Sequence, residues 1–359
     1  MNWRDWMSGH QTGPTAAILR TAASVAAGGY AAAMRLRNRR YDRGRNVHVA
    51  GVPVISVGNL TTGGTGKTPL VAEIATWIRS LDRRVTIVSR GYGTDDRAPG
   101  GYNDEALELM RRLPDVPHVQ DADRVAAARI AVEELAAEVL VMDDGFQHRR
   151  LHRDLDIVVI DATCPFGYGH CLPRGLLREP VSGLSRADVV VITRIDRVTD
   201  DDLERIETTI RRHTDAPIDR CRHAPTTLRH APTTLRHADG RTEPAASLSG
   251  RRVHALSAIG NPDAFVRSLQ TLGATIVGRT DLPDHAAYDE SDLAKIKLSN
   301  TPELIVVTGK DAVKLSDTTI NAVPWAALKI DVDWESPPAL RALVEEVARS
   351  DEGECAGRG

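Results

Sequence analysis

Aromatic side chains are scarce in this 359-residue chain, at 4% of residues. Without rings to fill it, the interior rests on Val, Leu, Ile and Ala, the mix that builds parallel strands buried on both faces. Cysteine is sparse too. Cys164, Cys171, Cys221 and Cys355 make no close pair and no Cys/His grid with zinc-like spacing, which argues against a disulfide framework or a structural metal and suits a reducing cytoplasm. Nor is positive charge in surplus. A formal net charge of -3 speaks against a nucleic-acid partner, since such proteins carry a basic excess. Nothing implies an obligate protein partner. The length exceeds one small core and predicts two α/β lobes.

A long uninterrupted apolar run is missing as well. Residues 15–34, TAAILRTAASVAAGGYAAAM, are small and apolar, but Arg20 interrupts them and alanine is too weakly hydrophobic for a convincing span. The segment is no signal peptide. Behind it, RLRNRRYDRGR crowds Arg35, Arg37, Arg39, Arg40, Arg43 and Arg45 together. Each would gain about 1 kcal/mol near anionic headgroups. Two readings stay open on these residues alone: a surface anchor, or an Ala-rich helix with a solvated basic end.

What the chain does have is alternation. Short apolar runs (VPVISVG, RVTIVSRG, EVLVMDDG, DLDIVVIDAT, ADVVVITRID) are separated by amphipathic stretches, among them one from about Lys67 to Leu81. That order predicts a parallel sheet flanked by helices. Residues 222–235 hold a tandem heptapeptide, RHAPTTL-RHAPTTL, whose Pro and Thr content suits extended chain in a connector. Its His223 and His230, and His237 just beyond, are expected to be solvated. Past Ser247, strands at RVHALSAIG, ELIVVTG and LKIDVDW alternate with helices near PDAFVRSLQTLG and PALRALVEEVARS, a second and smaller α/β lobe.

The sharpest signal is VISVGNLTTGGTGKTPLV, a strand, a Gly-rich turn and a helix. In the stretch Thr61, Thr62, Gly63, Gly64, Thr65, Gly66, Lys67 and Thr68, the glycines let backbone wrap phosphate oxygens. The Lys67 ammonium and the helix amino terminus converge on the same anion. Thr61 stands where the usual pattern has its first glycine. A phosphate loop needs a magnesium partner, and the strand EVLVMDDG ends in Asp143 and Asp144, placed to hold Mg²⁺ with the Thr68 hydroxyl.

These stretches also carry a resemblance. GNLTTGGTGKTP, SRGYG, NDE, DDGFQH, LPRGLLREP, LPDH and KDAVKL occur in the order found in the tetraacyldisaccharide 4'-kinases, the lipid A 4'-kinases of Gram-negative bacteria, between about residues 15 and 335. The resemblance implies transfer of the ATP γ-phosphate to the 4'-hydroxyl of a tetraacylated glucosamine disaccharide. It implies a peripheral or monotopic enzyme at the cytoplasmic face of the inner membrane, whose partners are the acylated lipid and an anionic surface. By motif, Lys67 would grip phosphates, while Thr68 and Asp144 would serve magnesium with support from Asp143. Asp104 of the NDE stretch would be the base that takes the sugar hydroxyl proton, assisted by His285 of LPDH from the second lobe. Arg90, Arg174 and Arg178 are candidate contacts for phosphate or sugar lipid.

The implied fold is a P-loop NTPase-type parallel sheet flanked by helices, a smaller α/β lobe and an N-terminal membrane-associated helix. Expected bounds are 1–45 for the helix and basic segment, 46–215 for the P-loop lobe, 216–246 for an extended two-stranded linker, 247–350 for the smaller lobe and 351–359 for a frayed tail. Three departures from the family pattern stand out. TDDRAPGGY before NDE is short, Gly309 precedes KDAVKL where glutamate is common, and the heptapeptide is duplicated. Two other classes compete. The TRID at Thr193–Asp196 resembles the guanine-reading element of regulatory or metallochaperone GTPases, with Arg for Lys, and a P-loop ATPase could scaffold a membrane complex.

Overall fold

The fold is that of a computed structural model. It describes residues 13–91, 102–224, 234–238, 240–260, 262–283, 301–315 and 319–350, with Met7, Ala286, Tyr288, Leu293 and residues 296–298. His285 and most of the heptapeptide repeat lie outside them. Contacts divide the chain into two units: Met1–Tyr92, Asp115–Arg222 and Trp334–Gly359 form one, Gly93–Pro114 and His223–Asp333 the other.

The larger unit is built on a parallel sheet. Its strands are β1 (Val54–Gly58), β2 (Val85–Ser89), β3 (His118–Gln120), β4 (Val139–Asp143), β5 (Leu155–Asp161), β6 (Val189–Thr193) and β7 (Ile218–Ala224), in the order β7-β6-β5-β1-β4-β2-β3. Every residue of β1, β2, β4 and β6 is buried, as expected of aliphatic runs covered on both faces. Helices Lys67–Arg79, Arg124–Glu133 and Asp200–Arg211 provide the cover.

The basic segment does not follow the N-terminal helix as a tail. One helix runs Pro14–Asp42, so Arg35, Arg37, Arg39 and Arg40 lie within its last turns. Ala27 and Ala31 pack into the same core cluster as Leu60 and Phe146. Ile18, Val25 and Leu36 are exposed, at 69%, 75% and 56%. Their spacing puts them on one stripe, opposite Ala27. No helix among the described residues is long and apolar enough to cross a membrane.

The smaller unit holds β8 (Thr234–His237), β9 (Thr242–Pro244), β10 (Arg252–Ser257), β11 (Thr275–Asp281), β12 (Leu304–Thr308), β13 (Thr319–Ile320) and β14 (Val323–Leu328). The parallel strands run β11-β10-β12-β14, and β8 and β9 add antiparallel at the far edge. His237 is buried rather than solvated, with its Nε2 2.7 Å from Glu243 Oε1. Its pairing with β14 draws it into the sheet.

Two elements sit in a different unit from the sequence grouping. The helix Asp104–Arg112 belongs with the smaller unit, because Arg112 Nη1 donates to the Ile330 carbonyl at 2.9 Å and Arg111 Nη1 to that of Ala312 at 2.8 Å. The helix Ala339–Arg349 belongs with the larger unit. Pro338 offers its start no side-chain acceptor, so the Ala339 and Leu340 amides donate instead to Asp219 of β7, at 2.9 and 2.7 Å.

Candidate active site

The phosphate loop forms where β1 runs out. Gly58 can only be glycine there, since a Cβ would lie 2.5 Å from the Phe146 backbone nitrogen. That contact draws the DDGFQH turn against the loop. Gly66 precedes the helix in the left-handed conformation (φ 81°) and gives it no side-chain cap, so the first amides of Lys67–Arg79 face outward as an anion site.

The loop is held from two sides. On one, the LPRGLLREP segment runs beside it: the Thr62 amide donates to the Leu176 carbonyl at 2.8 Å and the Arg178 amide to that of Leu60 at 2.7 Å. On the other, Thr193 Oγ1 donates to the Thr65 carbonyl at 3.1 Å and Arg194 Nη2 to that of Gly64 at 3.1 Å. Arg194 is itself ion-paired with Asp161. In this arrangement the TRID element braces the loop.

β4 pairs with β1 so that Asp143 lies opposite Val57, which brings the acidic strand end to the loop. Asp144 follows with φ 53°, a left-handed conformation that aspartate tolerates better than most residues. Its Oδ1 lies 3.1 Å from Lys67 Nζ and its Oδ2 2.6 Å from Arg178 Nη1. Burial alone would push the Asp144 carboxyl up. The Lys67 and Arg178 cations, by charge and hydrogen bonding, overcome that and hold it well below the usual carboxylate range. Asp143 and Thr68 are buried beside it.

Lys67, Thr68, Asp143, Asp144 and Arg178 therefore come together. Arg174 is engaged elsewhere, donating to the Met7 carbonyl at 2.7 Å. Asp104 begins its helix in the smaller unit, behind an Asn103 cap that accepts from the Ala106 amide at 2.9 Å. A Cβ on Gly309 would meet Glu108 Oε1 at 2.8 Å. The carboxylate beside the KDAVKL turn is thus Glu108, paired with Arg112.

The site also uses residues that motif spacing does not single out. Lys67 Nζ donates to Asn59 Oδ1 at 2.9 Å, and Gln147 Nε2 donates to both the Asn59 carbonyl and Glu179 Oε1 at 2.9 Å. Asn59, Gln147 and Glu179 lie inside the quoted stretches, yet only tertiary pairing shows which of them face the loop. Arg124 carries no motif at all. Burial pushes its guanidinium down to about 10, Asp144 and Asp143 draw it up, and Arg90 repels it.

Among the described residues no three His, Cys, Asp or Glu side chains cluster to hold a metal by themselves. Asp144 is nonetheless held as a carboxylate by its neighbouring cations, with Oδ1 buried 3.1 Å from the Lys67 ammonium. One or two carboxylates and a hydroxyl at a phosphate site fit magnesium, which is commonly completed by water and phosphate oxygens.

A sequence model of the tetraacyldisaccharide-1-P 4'-kinases, LpxK, matches residues 19–349. This chain belongs to that family. A tetraacyldisaccharide 4'-kinase of Anaeromyxobacter dehalogenans (strain 2CP-C) is 40% identical over 334 residues, covering 87% of this chain and 84% of the relative. One from Geobacter sulfurreducens is 36% identical over 361 residues, covering 96% and 98%. Among solved structures, LpxK from Aquifex aeolicus in complex with ATP superimposes with a TM-score of 0.73 at 30% identity, covering 92% of this chain and 99% of that one. The family's fold, a parallel α/β sheet flanked by helices, is the one seen here.

Proposed function

We propose that this kinase transfers the γ-phosphate of ATP to the 4'-hydroxyl of a tetraacylated glucosamine disaccharide in lipid A biosynthesis. The observation that carries the proposal is the anion cradle before the Lys67 helix, with its lysine 3.1 Å from a carboxylate at the end of the neighbouring strand. The names of the relatives and the ATP in the Aquifex structure support it.

In this scheme the loop from Thr61 to Thr68 and the Lys67 ammonium bind the phosphates. Incoming phosphate oxygens compete with Asp144 for Lys67. Thr68 and Asp144 would hold magnesium with Asp143 in support, and the bound cation would neutralise charge on the transferring phosphoryl group. Asp104 takes the proton of the acceptor hydroxyl. His285 is assigned to assist it on the family resemblance. Arg178 keeps Asp144 aimed, and Arg90 is the further cation at this end of the sheet. Positioning and charge neutralisation account for most of such catalysis, and a general base adds roughly 10²–10⁴.

The Pro14–Asp42 helix suits attachment to an anionic membrane surface at the cytoplasmic face. Its exposed Ile18, Val25 and Leu36 would enter the headgroup boundary, and Arg35, Arg39 and Arg40 would meet lipid phosphates. A guanine-reading role for TRID is disfavoured by the bracing contacts of Thr193 and Arg194.

The test is transfer itself. Protein incubated with γ-labelled ATP, magnesium and a lipid-disaccharide acceptor should move label into the lipid. Label released only as inorganic phosphate, with or without acceptor, would sink the proposal.

A further inference from the structure

The KDAVKL stretch has no task in the scheme above, yet it touches the assigned base. Lys314 Nζ lies 2.7 Å from Asp104 Oδ2, in a pair whose side chains are only 10% and 19% exposed. Ion pairs this far from water return little net stability, because desolvation offsets the attraction. A purely fastening role is therefore weakly motivated, and the helix is fastened already by the Arg111 and Arg112 contacts with backbone carbonyls.

The lysine also stands on a fixed platform. Thr308 caps the single turn Gly309–Ala312, with its Oγ1 donating to Asp311 Oδ2 at 2.6 Å, and the buried Asp311 accepts the Ala258 amide at 3.2 Å. Lys314 follows that turn directly, its amide donating to the Asp311 carbonyl at 3.1 Å. On the other side, Asp104 is the first residue of its helix, and its Oδ2 meets the cation carried by that pinned turn.

We propose that Lys314 is a positioning residue for Asp104. Its ammonium fixes the rotamer of the carboxylate and with it the aim of the oxygen that receives the acceptor proton. The inference rests on Asp104 being the base. In the step concerned, the hydroxyl proton passes to Asp104 and the sugar oxygen bonds to the γ-phosphorus. The bond from that phosphorus to the bridging oxygen breaks, ADP leaves with the electron pair, and Lys314 keeps its proton throughout.

The neighbouring pair provides an internal control. Lys310, on the same turn, is ion-paired with Glu105, the next residue along. If the two lysines only fasten the helix, losing either should matter alike. If Lys314 aims the base, Lys314→Met should lower kcat by about 10²-fold, the cost typical of misplacing a reacting group by about 1 Å. KM for ATP should stay within about twofold. Lys310→Met should leave kcat within about threefold, and Lys314→Arg should recover part of the loss.

The deciding measurement is the double variant, with thermal melting of each protein to establish folding. Adding Lys314→Met to Asp104→Asn should cost nothing further, since the lysine acts through a base already removed. A multiplied loss in the double variant would overturn the inference. So would Lys314→Met at the parent rate while Asp104→Asn is slow, or equal losses for Lys310→Met and Lys314→Met. Asp104→Asn at the parent rate would instead overturn the base assignment, and this inference with it.

Discussion

Arg178 and Lys67 grip the same carboxylate from opposite oxygens, with Arg178 Nη1 2.6 Å from Asp144 Oδ2 and Lys67 Nζ 3.1 Å from Oδ1. Once phosphate draws Lys67 away, Arg178 is what still orients Asp144. A charge-assisted hydrogen bond of this kind contributes about 1.5–3 kcal/mol. Arg178→Ala should therefore raise the magnesium concentration for half-maximal rate by roughly tenfold to a hundredfold. Arg178→Lys should restore part of it, because an ammonium keeps the charge but not the planar fork. Rates measured across a magnesium series decide the matter, and an unshifted half-maximal point would count against the role.

Lys67→Ala removes both the phosphate charge and one partner of Asp144. Transfer should fall by about 10²–10³-fold or more, the usual cost of losing a group that meets developing charge. Folding should survive, since Arg178 remains on the carboxylate. Label transfer and thermal melting, run on the same preparation, separate the two effects. A variant that binds ATP and transfers at the parent rate would remove Lys67 from the mechanism.

Arg194 is tied to Asp161 and to the Gly64 carbonyl, so its task is to shape the loop. Arg194→Ala frees that carbonyl and leaves Asp161 without this cation. KM for ATP should rise about tenfold, equivalent to the loss of about one hydrogen bond, with no change in preference for ATP over GTP. Competition between the two nucleotides provides the readout. Lost discrimination would revive the guanine-reading interpretation of TRID.

Much of this is legible in the sequence, and the reason is local. The Gly-rich turn, the aliphatic strands and Asp143–Asp144 at a strand end are set by neighbours in sequence, so spacing reveals them. Arg178 was legible only as a cation near phosphate. Its partner Asp144 lies 34 residues away, a pairing fixed by the path of the LPRGLLREP segment. The grouping of Asp104–Arg112 with the smaller unit was hidden for the same reason, because Ala312 and Ile330, which receive its arginines, are about two hundred residues further on. The helix Pro14–Asp42 was half legible. Its small apolar residues were plain, but the burial of Ala27 and the exposure of Ile18, Val25 and Leu36 depend on which face meets the core.

That face makes the membrane assignment testable. Each buried aliphatic side chain is worth about 1.5–3 kcal/mol, and each arginine near anionic headgroups about 1 kcal/mol. Replacing Ile18, Val25 and Leu36 together by Gln should release the protein from phosphatidylserine-containing vesicles. The opposite face, with Ala27 and Ala31 in the core, is left untouched, so melting should be nearly unchanged. Cosedimentation at low and high salt would separate the apolar from the arginine contribution. Unchanged binding of the triple variant would move the attachment elsewhere.

Acid should weaken the larger unit through His118. This ring is buried at the start of β3, with its Nε2 2.8 Å from Ser89 Oγ, and burial pushes its pKa down from 6.5 to about 4. The unfolded chain therefore binds a proton that the folded one refuses between those values. Stability from this group is complete above about pH 6.5, declines as pH falls, and is fully lost below about pH 4. The total is on the order of 3 kcal/mol for a gap of this size. His118→Asn removes the titrating group, so between pH 6.5 and 4 the variant should lose less stability than the parent by about that amount. Urea midpoints across the window measure it. His148, pushed down to about 4 by burial with Arg124 and Arg150 adding repulsion, remains in both proteins, so the difference between them isolates His118. Parallel curves would mean that His118 accepts its proton without unfolding.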